Sequence, residues 1–368
     1  MNDSKKHIAF LCSRLDLPGG IERAIVNLAN LFVEKGHDVS LIILDETKTS
    51  FYPLHPSIRI IQQPLFFGIT ELGNVFTRKT DFVHDIIRLK RIIKALHADI
   101  IIATEYPFAI ASVFVGGKKY AKIVSWEHHH FYELKKSFFW ERSFRLTYPK
   151  LDATVCLNED EKKLFEKIGA KAIVIPNFAQ PTEGRSLLDN KTILTIARIA
   201  YVKGIDLLLK TAKLVFEKHP DWKWKLIGIG HVDNLANRVI LEEGMPKNLS
   251  VQKPVDHNIF PEYQNASMYV MTSRNECFPM TLLEAMSAGL PCIAFDCETG
   301  PRHIINNNID GLLVEKENPQ KLGEAISSVI SDEERRKKMG EKAFSNVQRF
   351  SPEKIYALWE SIFEQSQQ

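Results

Sequence analysis

Glu276 and Glu284 stand on either side of CFPMTLL, a segment that reads as a loop running into a helix. Pro279 near the start of that helix lacks an N–H that would have been unpaired in any case. The free N–H groups around Met280 and Thr281, with the positive end of the helix dipole, make an anion site. Glu284 lies one turn in, too far along to be a simple cap, and can accept hydrogen bonds from sugar hydroxyls. Glu276, in the loop before, faces the same cavity. Two carboxylates flanking a phosphate pocket suit a nucleotide sugar, one for the ribose and one for the hexose. The spacing fits a helix-start acid and a salt-bridged surface glutamate equally well.

Further stretches carry possible chemistry. In ARIAYVKGIDLLLK (197–210), Arg198 at a strand end and Lys203 just before Gly204 are two cations able to hold a diphosphate, Arg through its bidentate fork and Lys as a point charge; they also read as ordinary surface charges. Gly19 and Gly20 lie between the first strand and first helix, where missing side chains let backbone N–H groups approach a ligand. They do not form the GxGxxG dinucleotide fingerprint. Three consecutive histidines follow a strand in SWEHHHF (125–131). Neighbouring positions point in different directions, so the three cannot readily chelate one ion, and no further zinc ligands accompany them. His128, nearest the strand end, is the candidate for a sugar or acceptor contact; His129 and His130 read as loop histidines.

The elements that must position these residues alternate. KHIAFLC, DVSLIIL, IRIIQQ, DIIIAT, KIVSW, ATVCL and AIVIP in the first half, and TILTIA, WKWKLIGI, SVQKP, MYVMTS, PCIAFD and GLLVE in the second, read as short strands. Helical patterns such as IERAIVNLANLFVEKG lie between several of them. That alternation predicts two α/β domains, each a doubly wound parallel sheet. In such sheets ligands bind beyond the carboxyl ends of the strands, where all of these candidates fall. The boundaries read as 1–180, 181–350 and 351–368. The hinge is the polar stretch 176–191, and the last segment is an amphipathic helix returning to the first domain.

Composition supports this frame. A chain of 368 residues with 45% hydrophobic and 25% charged residues has the make-up of globular domains rather than of a disordered, collagenous or coiled-coil chain. No apolar run reaches membrane-spanning length and the start has no signal-peptide pattern. Five cysteines without CxxC spacing suggest a reduced cytoplasm. The net charge of +3 divides unevenly, with 25 basic against 20 acidic residues in 1–180 and 23 against 25 in the rest. The helical stretch 76–97 interleaves Arg78, Lys79, Arg88, Lys90, Arg91 and Lys94 with Phe82, Ile86, Ile87, Leu89, Ile92 and Ile93. Such a helix can lie on an anionic membrane, with Phe66, Phe67, Lys135, Lys136, Phe138, Phe139 and Trp140 nearby, or simply face a core.

Taken together, the stretches resemble the retaining glycosyltransferases of family 4, over nearly the whole chain. The E-x7-E element is matched by Glu276 and Glu284, R-x4-K-G by Arg198, Lys203 and Gly204, and GG-x-E by Gly19, Gly20 and Glu22. The wording FPMTLLEAMSAGLPCIAFDCETGP is similar to bacterial enzymes that add galactose-type or N-acetylhexosamine residues to lipopolysaccharide, capsule or lipid-linked glycans. The resemblance implies the GT-B fold, two Rossmann-like domains with an interdomain cleft. It implies that Arg198 and Lys203 bind the donor diphosphate, Glu284 the ribose and Glu276 the transferred sugar. Phe278, Met280 and Thr281 then offer backbone amides, and His128 lines the sugar pocket.

Cys277, where Gly is usual, and the altered turns at LIGIGHVDN (226–234) and Lys253-Pro254-Val255 depart from the family pattern. No D-x-D metal motif occurs, so metal independence is expected, with a nucleotide sugar as donor substrate, most simply UDP-linked, and no other cofactor. A lipid-linked or oligosaccharide acceptor and peripheral contact with an anionic membrane complete the expectation, with no nucleic-acid partner. The rival readings are a nucleotide-sugar epimerase of the same architecture and a nucleotide-binding or membrane-docking module without turnover.

Overall fold

The computed structural model describes the chain except residues 1–4, 46–48, 66–74, 134–135, 181–183, 231–243, 254–257 and 365–368, and gives the backbone alone for 75–82. Phe66, Phe67, Lys135, Pro254, Val255 and residues 231–234 of the altered turn therefore lie outside the described residues, as do the side chains of Arg78, Lys79 and Phe82. The chain divides into two compact units, Met1–Pro176 with Ile355–Gln368, and Asn177–Lys354. The first division falls ahead of residue 180 because the segment after Pro176 is tied into the second unit, where the Ala179 N–H donates to the Phe350 carbonyl.

The first unit holds a seven-stranded parallel sheet of β1 (His7–Cys12), β2 (Asp38–Ile43), β3 (Arg59–Gln62), β4 (Ile100–Ala103), β5 (Lys122–Trp126), β6 (Ala153–Cys156) and β7 (Ala172–Val174). Their order is β3-β2-β1-β4-β5-β6-β7. The second unit holds six parallel strands, β8 (Thr192–Ile196), β9 (Lys223–Ile227), β10 (Leu249–Gln252), β11 (Met268–Met271), β12 (Cys292–Phe295) and β13 (Gly311–Val314), in the order β10-β9-β8-β11-β12-β13. Most of the strands end a residue or two short of the apolar runs in the sequence, while β1 and β5 end with theirs. The central strands are apolar on both faces because helices cover both, as a parallel sheet requires.

In each sheet the chain moves outward for three strands and then crosses to the other side of the first. The crossing puts β1 beside β4 in one unit and β8 beside β11 in the other. These are the two points at which strand order reverses, where the crevice of a doubly wound sheet opens.

Helices of the first unit include α1 (Gly20–Glu34), α2 (Val75–Leu96), α3 (Tyr106–Phe114), α4 (Phe138–Thr147) and α5 (Glu159–Glu166). On α2, Leu89, Ile93 and Leu96 are buried in the core and Ile86 and Ile92 pack against it, leaving Val83 and Ile87 outward. The second unit contains α6 (Ile205–Lys218), α7 (Phe260–Gln264), α8 (Met280–Ser287), α9 (Pro319–Ser331) and α10 (Glu333–Val347). A last helix, α11 (Pro352–Glu364), carries the chain back to the first unit. There the Phe32 ring meets Tyr356, Trp359 and Phe363 at 5.3–6.3 Å, edge-on. His37 Nε2 shares a hydrogen bond of 2.8 Å with Tyr356 Oη, and Lys122 Nζ donates to the Ile362 carbonyl at 3.1 Å, one of the unpaired carbonyls at the helix end.

Candidate active site

The second unit's switch point is built from two loops that leave neighbouring parallel strands. After β8 the chain passes Arg198 and makes a single tight turn, Tyr201–Lys203, before α6. Gly204 closes that turn at φ +63°, and a Cβ there would lie 2.1 Å from the Thr272 carbonyl oxygen. Only glycine lets the turn rest on the end of β11. After β11, Thr272, Ser273 and Arg274 are buried and lead to Glu276.

The two loops meet through side chains. Lys203 Nζ lies 2.6 Å from Glu276 Oε1, with side-chain exposures of 18% and 12%. Ser273 Oγ donates to the same oxygen at 2.6 Å. Glu276 Oε2 takes no hydrogen bond from a described residue, so one carboxylate oxygen is committed and the other is available. The backbone around Glu276 is equally restrained, its carbonyl accepting from Thr299 Oγ1 at 3.0 Å and from the Gly300 N–H at 2.9 Å. An ion pair largely withdrawn from water gains little net stability, since desolvation consumes most of the attraction. One placed beyond the carboxyl ends of two central strands is better accounted for by function.

Beyond Glu276, Cys277, Phe278 and Met280 are buried and Thr281 is half-buried. Pro279 is the residue before α8 rather than a member of its first turn, extended at φ −71° and ψ 116°, and no side chain caps the helix. Thr281 hydrogen-bonds Tyr269, whose hydroxyl donates to the Ile196 carbonyl of β8 at 3.1 Å. Burial pushes the Tyr269 phenol above its usual range, so it stays a neutral donor. One turn further, Glu284 Oε2 accepts from Tyr263 Oη of α7 at 2.7 Å. Arg198 is exposed and makes no ion pair among the described residues.

Sequence reasoning passed over the residues that hold this arrangement. Arg274, 8% exposed, forms a bidentate pair with Asp206 of α6 at 2.7 and 2.8 Å. Its Nε reaches Glu317 at 3.1 Å and its guanidinium covers the Tyr201 ring at 4.2 Å. A lone arginine in a polar loop carries no sign of burial, and its partner lies far away in the chain.

The other candidates belong to the first unit. His128, two residues past β5, is 8% exposed, and its ring lies 4.3 Å from that of Trp126. Trp126 in turn meets Trp359 of α11 at 5.5 Å. Burial, reinforced by the charge of His129, lowers the His128 pKa to about 3, so the imidazole is neutral. Its Nε2 is buried and unpartnered. His130 is tied by a short hydrogen bond to Glu161 of α5, and His129 lies 3.7 Å from Glu133. Glu127, unremarked in the sequence, is buried and accepts a short hydrogen bond from Tyr148; burial raises its pKa to about 7. At the start of α1 the Glu22 carboxylate folds back so closely that a Cβ on Gly19 would come within 2.0 Å of Oε2. Gly19 directly precedes the helix and Gly20 opens it.

Two family models match the chain in succession, Glycosyltransferase Family 4 over residues 18–183 and Glycosyl transferases group 1 over residues 179–346. The chain belongs to the family 4-like glycosyltransferases of GT-B fold. Among similar proteins, an uncharacterized glycosyltransferase of Haemophilus influenzae is 28% identical over 97% of this chain and 99% of its own length. A Campylobacter jejuni enzyme, GalNAc-alpha-(1->4)-GalNAc-alpha-(1->3)-diNAcBac-PP-undecaprenol alpha-1,4-N-acetyl-D-galactosaminyltransferase, is 25% identical over 96% of each chain. Staphylococcus aureus TarM, solved in a complex that includes UDP, superposes with a TM-score of 0.80 over 98% of this glycosyltransferase and 100% of TarM, at 16% identity. In this glycosyltransferase, the motif residues of the second unit fall at its own switch point.

Proposed function

We propose that this glycosyltransferase moves a hexose or N-acetylhexosamine from a UDP-linked donor to a lipid-linked or polysaccharide acceptor in bacterial surface glycan synthesis, retaining anomeric configuration and using no metal ion. The observation that carries the reading is the meeting of Lys203 and Glu276 at the switch point of the second unit, beside a helix start that no side chain caps. Departure of the donor sugar places negative charge on the leaving phosphate. Arg198, Lys203 and the amides at the start of α8 stabilise that charge, each preorganised donor contributing ~3–4 kcal/mol. The incoming diphosphate competes with Glu276 for the Lys203 ammonium and frees the carboxylate to bind the sugar. Glu284, oriented by Tyr263, receives the ribose hydroxyls, and the neutral imidazole of His128 suits a sugar hydroxyl.

The leaving phosphate takes the proton of the acceptor hydroxyl as attack proceeds on the face of departure. In this reading Glu276 binds the transferred sugar and is not a covalent nucleophile. The UDP bound to TarM and the undecaprenol-linked glycan in the name of the Campylobacter enzyme support the choice of donor and acceptor.

The enzyme works at the cytoplasmic face of the plasma membrane. Helix α4 offers the contact surface, with Phe138 82%, Phe139 53% and Leu146 55% exposed and Arg142 and Arg145 on the same side by helical spacing. Each basic residue near an anionic surface adds ~1 kcal/mol. Replacing Phe138, Phe139 and Leu146 together by Ser should abolish binding to phosphatidylglycerol vesicles without lowering Tm. Undiminished vesicle binding would remove this surface from the proposal.

A panel of UDP- and GDP-sugars tests the activity itself. One UDP-hexose should raise Tm, a ligand at 100 times its Kd adding ~2.7 kcal/mol, and should release UDP slowly without acceptor. Stabilisation by no nucleotide sugar defeats the reading. A glycosyl group trapped on Glu276 defeats the mechanism, and isomerisation of the sugar without acceptor points to an epimerase instead.

A further inference from the structure

The turn that carries Lys203 is fastened to the end of β11 by three hydrogen bonds. Its three residues, Tyr201, Val202 and Lys203, each turn a carbonyl toward the end of β11. The Tyr201 carbonyl accepts from Arg274 Nη1 at 2.8 Å, the Val202 carbonyl from the Arg274 N–H at 2.8 Å, and the Lys203 carbonyl from Thr272 Oγ1 at 3.0 Å. The guanidinium that reaches Tyr201 is itself immobilised by the bidentate grip of Asp206, at the start of the helix that follows the turn. Arg274 is also only two positions before Glu276. One side chain therefore connects the turn bearing the cation, the helix behind it and the loop bearing the carboxylate.

We propose that Arg274 is a positioning residue for sugar transfer, setting the Lys203 ammonium where the leaving diphosphate must be met while having no contact with substrate itself. The inference rests on the role of Lys203 proposed above. Arginine is required because its planar fork supplies the parallel pair of bonds to Asp206 and a further bond to the Tyr201 carbonyl, whereas a lysine would supply charge without that geometry. Displacing a reacting group by about 1 Å can cost roughly 100-fold in rate, so a loosened turn is felt in turnover before it is felt in donor binding.

The test is a double-mutant cycle with the UDP-sugar that gives the fastest UDP release, reading kcat and KM separately. Arg274→Lys should lower kcat about 10- to 100-fold with KM for the donor changed less than about threefold. In that background Lys203→Ala should cost far less than it does in the parent enzyme, because its ammonium is already misplaced. Thr272→Val, which removes only the strap to the Lys203 carbonyl, should show the same non-additivity to a smaller degree, and it serves where Arg274→Lys does not fold. Glu317→Gln, altering the partner at the rim, should leave kcat unchanged. Unchanged kcat in Arg274→Lys, or strictly additive losses with Lys203→Ala, overturns the proposal while the role of Lys203 stands. A Lys203→Ala enzyme with parental kcat overturns both.

Discussion

The two units repeat one topology and furnish its switch point with opposite chemistry. Between β8 and β11 a lysine and a glutamate meet under a buried arginine strap, next to a helix whose start is capped by no side chain. Between β1 and β4, Ser13 donates a short hydrogen bond to Glu105, and the first helix start is covered by the carboxylate of Glu22 from its own first turn. An anion approaching α8 meets amides; one approaching α1 meets a carboxylate. The helix after the first strand carries a first-turn acid in both units: Asp206 of α6 is held by Arg274, whereas Glu22 of α1 folds back on the helix start.

The contrast predicts unequal costs for removing equivalent charges. Lys203→Ala should reduce kcat/KM for a UDP-sugar on the order of 100-fold or more, whereas Glu22→Gln should leave the donor KM within about threefold, because the neutral amide still covers the α1 start. Similar losses from both changes would overturn the contrast. Two glycines, one in each unit, differ sharply in backbone constraint. Gly204→Ala places a Cβ 2.1 Å from the Thr272 carbonyl oxygen at φ +63°, while Gly36→Ala at φ +91° meets nothing within 4 Å. Urea denaturation should show Gly204→Ala losing about 3 kcal/mol or more and Gly36→Ala about 1–2 kcal/mol, the left-handed strain alone.

The smallest effect is a pair of opposed pH slopes in the first unit. His128 binds its proton at about 3 when folded against 6.5 as a free side chain, so its contribution is present above pH 6.5 and is lost as pH falls toward 3. Glu127 titrates at about 7 when folded against 4.5, so its contribution is present below pH 4.5 and is lost as pH rises through 7. Between 4.5 and 6.5 the two slopes oppose one another. In Tm against pH, His128→Gln should lessen the fall below pH 4.5, and Glu127→Gln the decline between pH 6.5 and 7. Parallel curves for parent and variants would show that neither burial governs titration.

Much of this architecture was legible in the sequence for a definite reason. Most strands among the described residues are short apolar runs, many of them β-branched, and the two-sided burial of the central ones leaves little ambiguity once helices alternate with them. Arg198, Lys203, Glu276 and Glu284 could be located because loops after parallel strands all emerge at one edge of a sheet. That Lys203 and Glu276 touch could not be read, since neither spacing reports which loops are neighbours. Arg274, Asp206 and Glu127 went unnoticed because a charged residue reads as solvated until its partner is placed, and Arg274 and Asp206 are 68 positions apart in the chain. On α2 the pattern revealed a helix but not which apolar residues would be left outside.

The path of α11 bears on how the molecule is made. Trp359 backs Trp126, which backs His128, and Tyr356 and Phe363 close over Phe32. On the ribosome the earlier sheet is synthesised long before these aromatic rings, so it must wait with Phe32 and Trp126 uncovered while the whole of the later unit is translated. Its completion waits for the later unit even though its strands come first, and a chain halted anywhere before Ile355 would leave that apolar surface bare.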